Sequence, residues 1–373
     1  MSGKGGLEGV VAGKTALSMV DGQQGRLTYR GYDIGDLARH STFEEVIHLL
    51  WHGHLPTRTQ LADTREKLAK ERQLPHEVVN LLRVLAGRSP PMDALRTAVS
   101  ALSPFDPDVG KNDPAGNMRK AHRITAKTAT IIAAYHRLRE GQEPIAPRHD
   151  LDHASNFLYM LNGKEPDAEV ARDFDVCLVL HADHGFNAST FSARVVASSL
   201  SDMHSAVTAA IGSLKGPLHG GANEAVMHML EDIGSAEKAE SYIADKLGQK
   251  EKIPGFGHRI YKVLDPRAPF LKDMSERLGK RGGNLKWYEM STKIQAKVKA
   301  MKGLDANVDF YSASTYHSMN VPTDLFTPIF ALSRVSGWTA HVMEQLGDNR
   351  IYRPDADYVG ADRVEYVPVD KRG

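Results

Sequence analysis

An all-α fold is what this 373-residue sequence predicts, and three observations predict it. Apolar residues recur at three- and four-residue spacing along most of the chain, the segments so marked are bounded by capping residues, Pro, Gly or Asn, and strand-like alternation is scarce.

The first element in chain order is the exception. Arg26-Leu27-Thr28-Tyr29-Arg30 is the best strand-like run and predicts minor β-structure near the N-terminus. Phe43, Val46, Ile47 and Leu50 then share one helical face, Thr42 and Glu45 have the spacing of a capping box, and Gly53 closes the helix. Further amphipathic stretches lie at about 64 to 74, 76 to 86, 92 to 102, 119 to 140 and 151 to 162. The turn-forming run 103–117 predicts a loop and offers one place for a domain boundary. Helices and strands do not alternate, so a Rossmann-type parallel sheet is not supported. The Gly-rich opening and Gly255-Phe256-Gly257 also lack the strand-turn-helix context of a phosphate-binding fingerprint. There is no repeat of fixed period. The length predicts one large or two packed domains, and without a long linker two domains would share a broad contact.

Hydrophobic residues make up 41% and charged residues 25%, the balance of an ordinary globular protein. With 47 Lys plus Arg against 46 Asp plus Glu there is no global basic field for nucleic acid, so any anion site must be local. No stretch reaches the ~18 apolar residues of a membrane-spanning helix. Met1-Ser2-Gly3-Lys4-Gly5-Gly6 has neither a long apolar run nor an Arg-rich pattern, so a soluble protein without signal or transit peptide is expected. The single cysteine, Cys177, lies in an apolar run, reads as an inert buried thiol, and fits a reducing compartment such as the cytoplasm.

Histidine is the informative residue type, because several of the 17 stand in turns rather than on apolar helix faces. His181 and His184, three apart with Asp183 between, would share a helical face and suggest a metal. Without a His-Glu-x-x-His motif or more cysteines the set is too small for zinc, and His181 reads as structural. His219 precedes a predicted helix, Ala222 to Glu231, whose dipole would keep the imidazole neutral and able to donate to a carbonyl gaining negative charge. His258 follows Gly255-Phe256-Gly257, where the glycines allow close approach and leave backbone N–H groups for a ligand. Arg259, Lys262 and Arg267 around it suit an anion, or make an exposed basic loop. Asp309 has apolar neighbours that would desolvate it and raise its pKa toward that of a base, while Arg334 and Arg353 are candidate carboxylate clamps.

Taken together, Gly216-Pro217-Leu218-His219-Gly220-Gly221-Ala222, Pro254-Gly255-Phe256-Gly257-His258 with Asp265-Pro266-Arg267, and Asn307-Val308-Asp309-Phe310 resemble the citrate synthase family in residues, order and spacing. The likeness runs from about Gly9 through Gly360, includes Leu27-Thr28-Tyr29-Arg30-Gly31-Tyr32, and is similar to the short bacterial and archaeal form. It implies an all-α homodimer with a large domain, 1–219 and 324–373, and a small domain, 220–323, that closes over the site. It also implies a cytoplasmic enzyme of the tricarboxylic acid cycle. Asp309 would take a methyl proton from acetyl-CoA while His219 donates to the thioester oxygen. His258 would polarise and protonate the ketone of oxaloacetate, and citryl-CoA would be hydrolysed to citrate and CoA. His184, Arg267, Arg334 and a partner-supplied Arg353 would hold the substrate. The backbone of Ile253, Pro254, Gly255, Phe256 and Gly257 would receive the adenine of CoA, and Lys262 its phosphates. Neither a metal nor a tightly bound cofactor is implied. After His184 the chain departs from long-form relatives by one residue, which leaves Asn187 without a firm match. The rival readings are a 2-methylcitrate synthase using propionyl-CoA, a non-catalytic helical interaction protein, and a metal-dependent hydrolase.

Overall fold

The computed structural model describes residues 6, 7 and 9–373, so the expectation for the extreme N-terminus falls mostly outside the described residues. Among the described residues there are sixteen α-helices and one three-stranded antiparallel sheet. The sheet is a meander of β1 (Ser18–Asp21), β2 (Arg26–Tyr29) and β3 (Tyr32–Asp33), with Met19 opposite Thr28. The predicted strand stops one residue early because Arg30 takes a left-handed φ of 51°, which turns the chain into β3.

Helices α1 (Ile34–His40) and α2 (Phe43–His52) follow; α2 has the expected Thr42–Glu45 capping box and closes on Gly53 at φ 86°. Next come α3 (Arg58–Lys70), α4 (His76–Leu85), α5 (Pro91–Ala101), α6 (Pro114–Arg139) and α7 (His153–Asn162). Two boundaries differ from the apolar pattern. Helix α3 starts earlier, at a capping box made by Thr57 and Gln60. Helix α6 takes the end of the expected 103–117 loop, because Asp113 accepts the Gly116 N–H and Pro114 sits at the first helical position, where no amide hydrogen is needed.

The second half holds α8 (Ala168–His181), α9 (Ala188–Ser198), α10 (Met203–Leu214), α11 (Ala222–Ile233), α12 (Ala239–Gly248), α13 (Ala268–Arg281), α14 (Lys286–Lys302), α15 (Val308–Ser318) and α16 (Phe326–Gly347). Helix α16 is buried on nearly every side, packed by α2, α5, α6, α8, α9 and α10. A helix so enclosed needs small residues where neighbours come close: a methyl group on Gly337 would overlap the Ala182 carbonyl oxygen at the end of α8. Helices α11 to α15 pack chiefly on one another, and meet the rest through α16 and α8. Beyond α16 the chain runs exposed, with one short 3₁₀ turn at Val369–Lys371. No helix among the described residues is long and apolar enough to cross a membrane.

Candidate active site

Four segments carry the candidate residues. The first is the end of α8. The helix stops at His181, so His184 does not share its helical face as the three-residue spacing suggested. His181 Nδ1 donates to the Cys177 carbonyl at 2.8 Å, and burial pushes its pKa down to about 3, so it is the structural histidine expected. The Cys177 thiol is buried and pushed well above its usual pKa. Burial would raise the Asp183 carboxyl, but His341 at 3.2 Å and the Ser18 hydroxyl at 2.6 Å hold it below the usual range. His184 is buried with Nε2 3.1 Å from the Tyr261 hydroxyl; burial, with Arg267 and Arg334 nearby, keeps its imidazole neutral. Asn187 caps α9 by accepting the Thr190 N–H.

His219 lies in the turn before α11, and the backbone N–H that reaches its ring comes from Ser189 in the first turn of α9. Its Nε2 accepts the Ser189 backbone N–H at 3.3 Å and lies 2.8 Å from the Ser189 hydroxyl, which in turn accepts the Trp338 indole N–H. An N–H aimed at Nε2 puts the ring hydrogen on Nδ1. Burial, then Arg334, lowers its pKa to about 4.

His258 has the opposite tautomer. Its Nδ1 accepts the backbone N–H groups of Ile260 at 3.0 Å and Tyr261 at 3.1 Å, which puts the hydrogen on Nε2. Burial, then Arg267, lowers its pKa to about 4. The preceding strap is less open than expected. The Gly257 N–H donates to the Asp305 carbonyl at 3.2 Å and the Gly255 carbonyl accepts the Asn307 N–H at 2.9 Å, so the Gly257 amide is already used. Gly255, at φ 79°, has no room for a side chain, since a Cβ would lie 2.8 Å from Phe310. Beside Pro254, the Ile253 side chain is buried and Phe256 is half-buried against Phe310, while Lys262 is exposed. The expected basic cluster is partly neutralised, because Arg267 makes a two-pronged, buried pair with Asp265 at 2.7 and 2.9 Å.

Asp309 is the second residue of α15, two after the cap Asn307, whose side chain accepts its N–H at 3.0 Å. The residue is half-buried, its Oδ1 is shielded from solvent and has no hydrogen-bond partner, and desolvation pushes its pKa up to about 6. Asp265 adds to that rise, whereas Arg267 and Arg334 oppose it. A helix N-terminus would also favour the anion, so desolvation outweighs three favourable influences. Arg334, on α16, is buried, donates to the His181 carbonyl at 2.6 Å, and stays cationic with a pKa near 10. Its charge reaches His184, His219 and Asp309. The chain thus gathers His184, His219, His258, Arg267, Asp309 and Arg334, while Arg353 stands apart on the exposed stretch after α16, beside Asp355. Among the described residues, no group of three or more His, Cys, Asp or Glu side chains is arranged to hold a metal ion.

Sequence reasoning missed Ser189, Tyr261, Asp265 and Trp338. Tyr261 and Asp265 sit in a motif already singled out; Ser189 and Trp338 carry no local signal.

The family model for the C-terminal domain of citrate synthase matches residues 6–355. The chain is 52% identical over 368 residues to citrate synthase 2 of Bacillus subtilis, covering 98% of both chains. It is 46% identical to a 2-methylcitrate synthase of Shewanella oneidensis, covering 98% of this chain and 97% of that one. The crystal structure of the Pyrobaculum aerophilum citrate synthase superposes with a TM-score of 0.93 at 42% identity, covering 98% of this chain and 95% of that one. A Thermoplasma acidophilum citrate synthase, in ternary complex with carboxymethyl coenzyme A and oxaloacetate, superposes with a TM-score of 0.93 at 34% identity over 98% of both chains.

Proposed function

The chain belongs to the citrate synthase family, and from that premise we propose that it joins the methyl carbon of acetyl-CoA to the ketone carbon of oxaloacetate and hydrolyses citryl-CoA to citrate and CoA. The observation that carries the reading is Asp309: a carboxylate with one solvent-shielded, unpartnered oxygen and a pKa near 6, among neutral imidazoles.

Asp309 takes a methyl proton, and the negative charge moves onto the thioester oxygen, where His219 Nδ1–H donates to it. The enolate carbon attacks the oxaloacetate ketone as His258 Nε2–H polarises that oxygen and gives it a proton. Water then cleaves citryl-CoA. His184, Arg267 and Arg334 hold the oxaloacetate carboxylates and carbonyl, and Arg353 comes from the second copy of a homodimer. The strap Ile253–Gly257 receives the adenine of CoA and Lys262 its phosphates. Residues 220–323 form a small domain that closes on a large one, 1–219 and 324–373, and excludes water before the enolate forms. No step calls for a metal or a resident cofactor. Work in the cytoplasm, as part of the tricarboxylic acid cycle, belongs to the same reading.

A second reading, 2-methylcitrate synthase, is favoured by the 46% identity to such an enzyme. One added methylene changes discrimination by only ~1 to 3 kcal/mol, so a similar site serves either thioester. CoA thiol release from acetyl-CoA and from propionyl-CoA, each with oxaloacetate, separates the two by kcat/KM. We expect acetyl-CoA to be preferred; release with neither thioester would refute both readings.

A further inference from the structure

The proposed chemistry leaves unexplained the side chain that stands between His184 and His258. Tyr261 is 4% exposed, its ring centre lies 4.7 Å from that of His258 and 5.6 Å from that of His184, and its hydroxyl is 3.1 Å from His184 Nε2. Burial pushes its phenol far above the usual range, so the hydroxyl keeps its hydrogen. A phenol hydroxyl both donates and accepts; where it donates to Nε2 of the neutral His184, that ring's hydrogen sits on Nδ1. The same residue's backbone N–H, together with that of Ile260, donates to His258 Nδ1, which fixes the hydrogen of that ring on Nε2.

The loop carrying Tyr261 has a fitted seat. The Lys262 N–H donates to the Gly22 carbonyl at 2.8 Å, at the tip of the β1–β2 hairpin. A methyl group on Gly22 would overlap the Ile260 carbonyl, and one on Gly25 would come within 2.8 Å of Val263. The base of that hairpin is tied to the segment carrying His184: Ser18 donates to Asp183 at 2.6 Å and accepts the Gly185 N–H at 2.8 Å. One hairpin therefore braces both histidine-bearing segments.

Resting on the reading of His184 and His258 as oxaloacetate ligands, we propose that Tyr261 is a positioning residue that sets the hydrogen-bearing nitrogen of both imidazoles, with the hairpin tip at Gly22 as its seat. An α-keto dicarboxylate presents a carbonyl and a carboxylate side by side, and two donors of fixed direction suit it. Loss of either direction should weaken oxaloacetate and spare the thioester.

Tyr261→Phe keeps the ring and removes only the hydroxyl. CoA release at varied oxaloacetate, together with calorimetric titration of oxaloacetate alone, should show KM and Kd for oxaloacetate raised about fivefold or more, the scale of one lost hydrogen bond. The KM for acetyl-CoA at saturating oxaloacetate should change less than about twofold, and the unfolding midpoint should move by about two degrees at most. A folded variant with wild-type affinity for oxaloacetate would overturn the proposal. Gly22→Ala, which changes no site residue and acts only by displacing the loop that carries Tyr261, should raise the oxaloacetate KM in the same direction; an unchanged value overturns the seat. Failure of the functional reading looks different, because the wild-type protein itself would then release no CoA, while calorimetry would still read the effect of Tyr261 on oxaloacetate.

Discussion

Asp309→Asn should make the protein more stable at neutral pH while removing its activity. Burial holds the Asp309 carboxyl at about 6, against 3.8 for the unperturbed side chain. About two units, at about 1.4 kcal/mol each, amount to roughly 3 kcal/mol by which ionisation destabilises the folded state at neutral pH. The folded carboxyl holds its proton more tightly than the unfolded one. The penalty is therefore absent below about pH 4, grows as pH rises, and is complete above about pH 6. Asparagine carries no charge, but it sets an amide where Oδ1 finds no partner, which gives back about 1 to 2 kcal/mol. The net gain is about 1 to 2 kcal/mol at pH 7.5, vanishing or reversing near pH 4. Urea unfolding of both proteins at one protein concentration and at both pH values reads it directly. Exchange of the acetyl-CoA methyl protons should fall by about 10²- to 10⁴-fold in the same variant. A variant whose stability relative to wild type does not improve between pH 4 and pH 7.5 would refute the reasoning, as would persistent proton exchange.

Gly337→Ala should cost about 2 kcal/mol or more, because its methyl group would meet the Ala182 carbonyl and separate α16 from α8; an unchanged urea midpoint would contradict that packing. Subunits of Arg353→Ala and Asp309→Asn, each inactive alone, should recover about a quarter of wild-type activity after random reassortment, since half of the dimers would then hold one complete site. No recovery would mean that Arg353 acts within its own chain or not at all.

Local chemistry made α2 legible in the sequence: Thr42, Glu45 and Gly53 state where it begins and ends. The same logic misplaced the start of α6, because the apolar period says nothing about a first turn held by Asp113 and Pro114. Asp309 was legible as a base only through its motif. The packing of α15 on α11 and α13, which no local window shows, adds to what its flanking residues Val308 and Phe310 suggest. The partners that set the imidazole tautomers were partly hidden for a similar reason. Ser189 lies 30 residues from His219, and Tyr261 lies 77 from His184, so no window on the chain contains either pair. Guanidinium chemistry made Arg334 and Arg353 candidate carboxylate clamps and the resemblance added Arg267, while the cost of burying Arg334 and the pairing of Arg267 with Asp265 are properties of the packed molecule.

The backbone stitch between Gly255–Gly257 and Asp305–Asn307 has a kinetic meaning. Under the proposed closure it fastens the loop bearing His258 to the helix bearing Asp309, so these two groups would travel as one body relative to His184 and Arg334, with the contacts of that loop on the hairpin tip made and broken in the same motion. Admission of substrate would then follow a single opening coordinate. Solvent viscosity, temperature or a stiffened hinge would slow proton removal and carbon–carbon bond formation by a common factor, and neither step could be tuned by motion independently of the other.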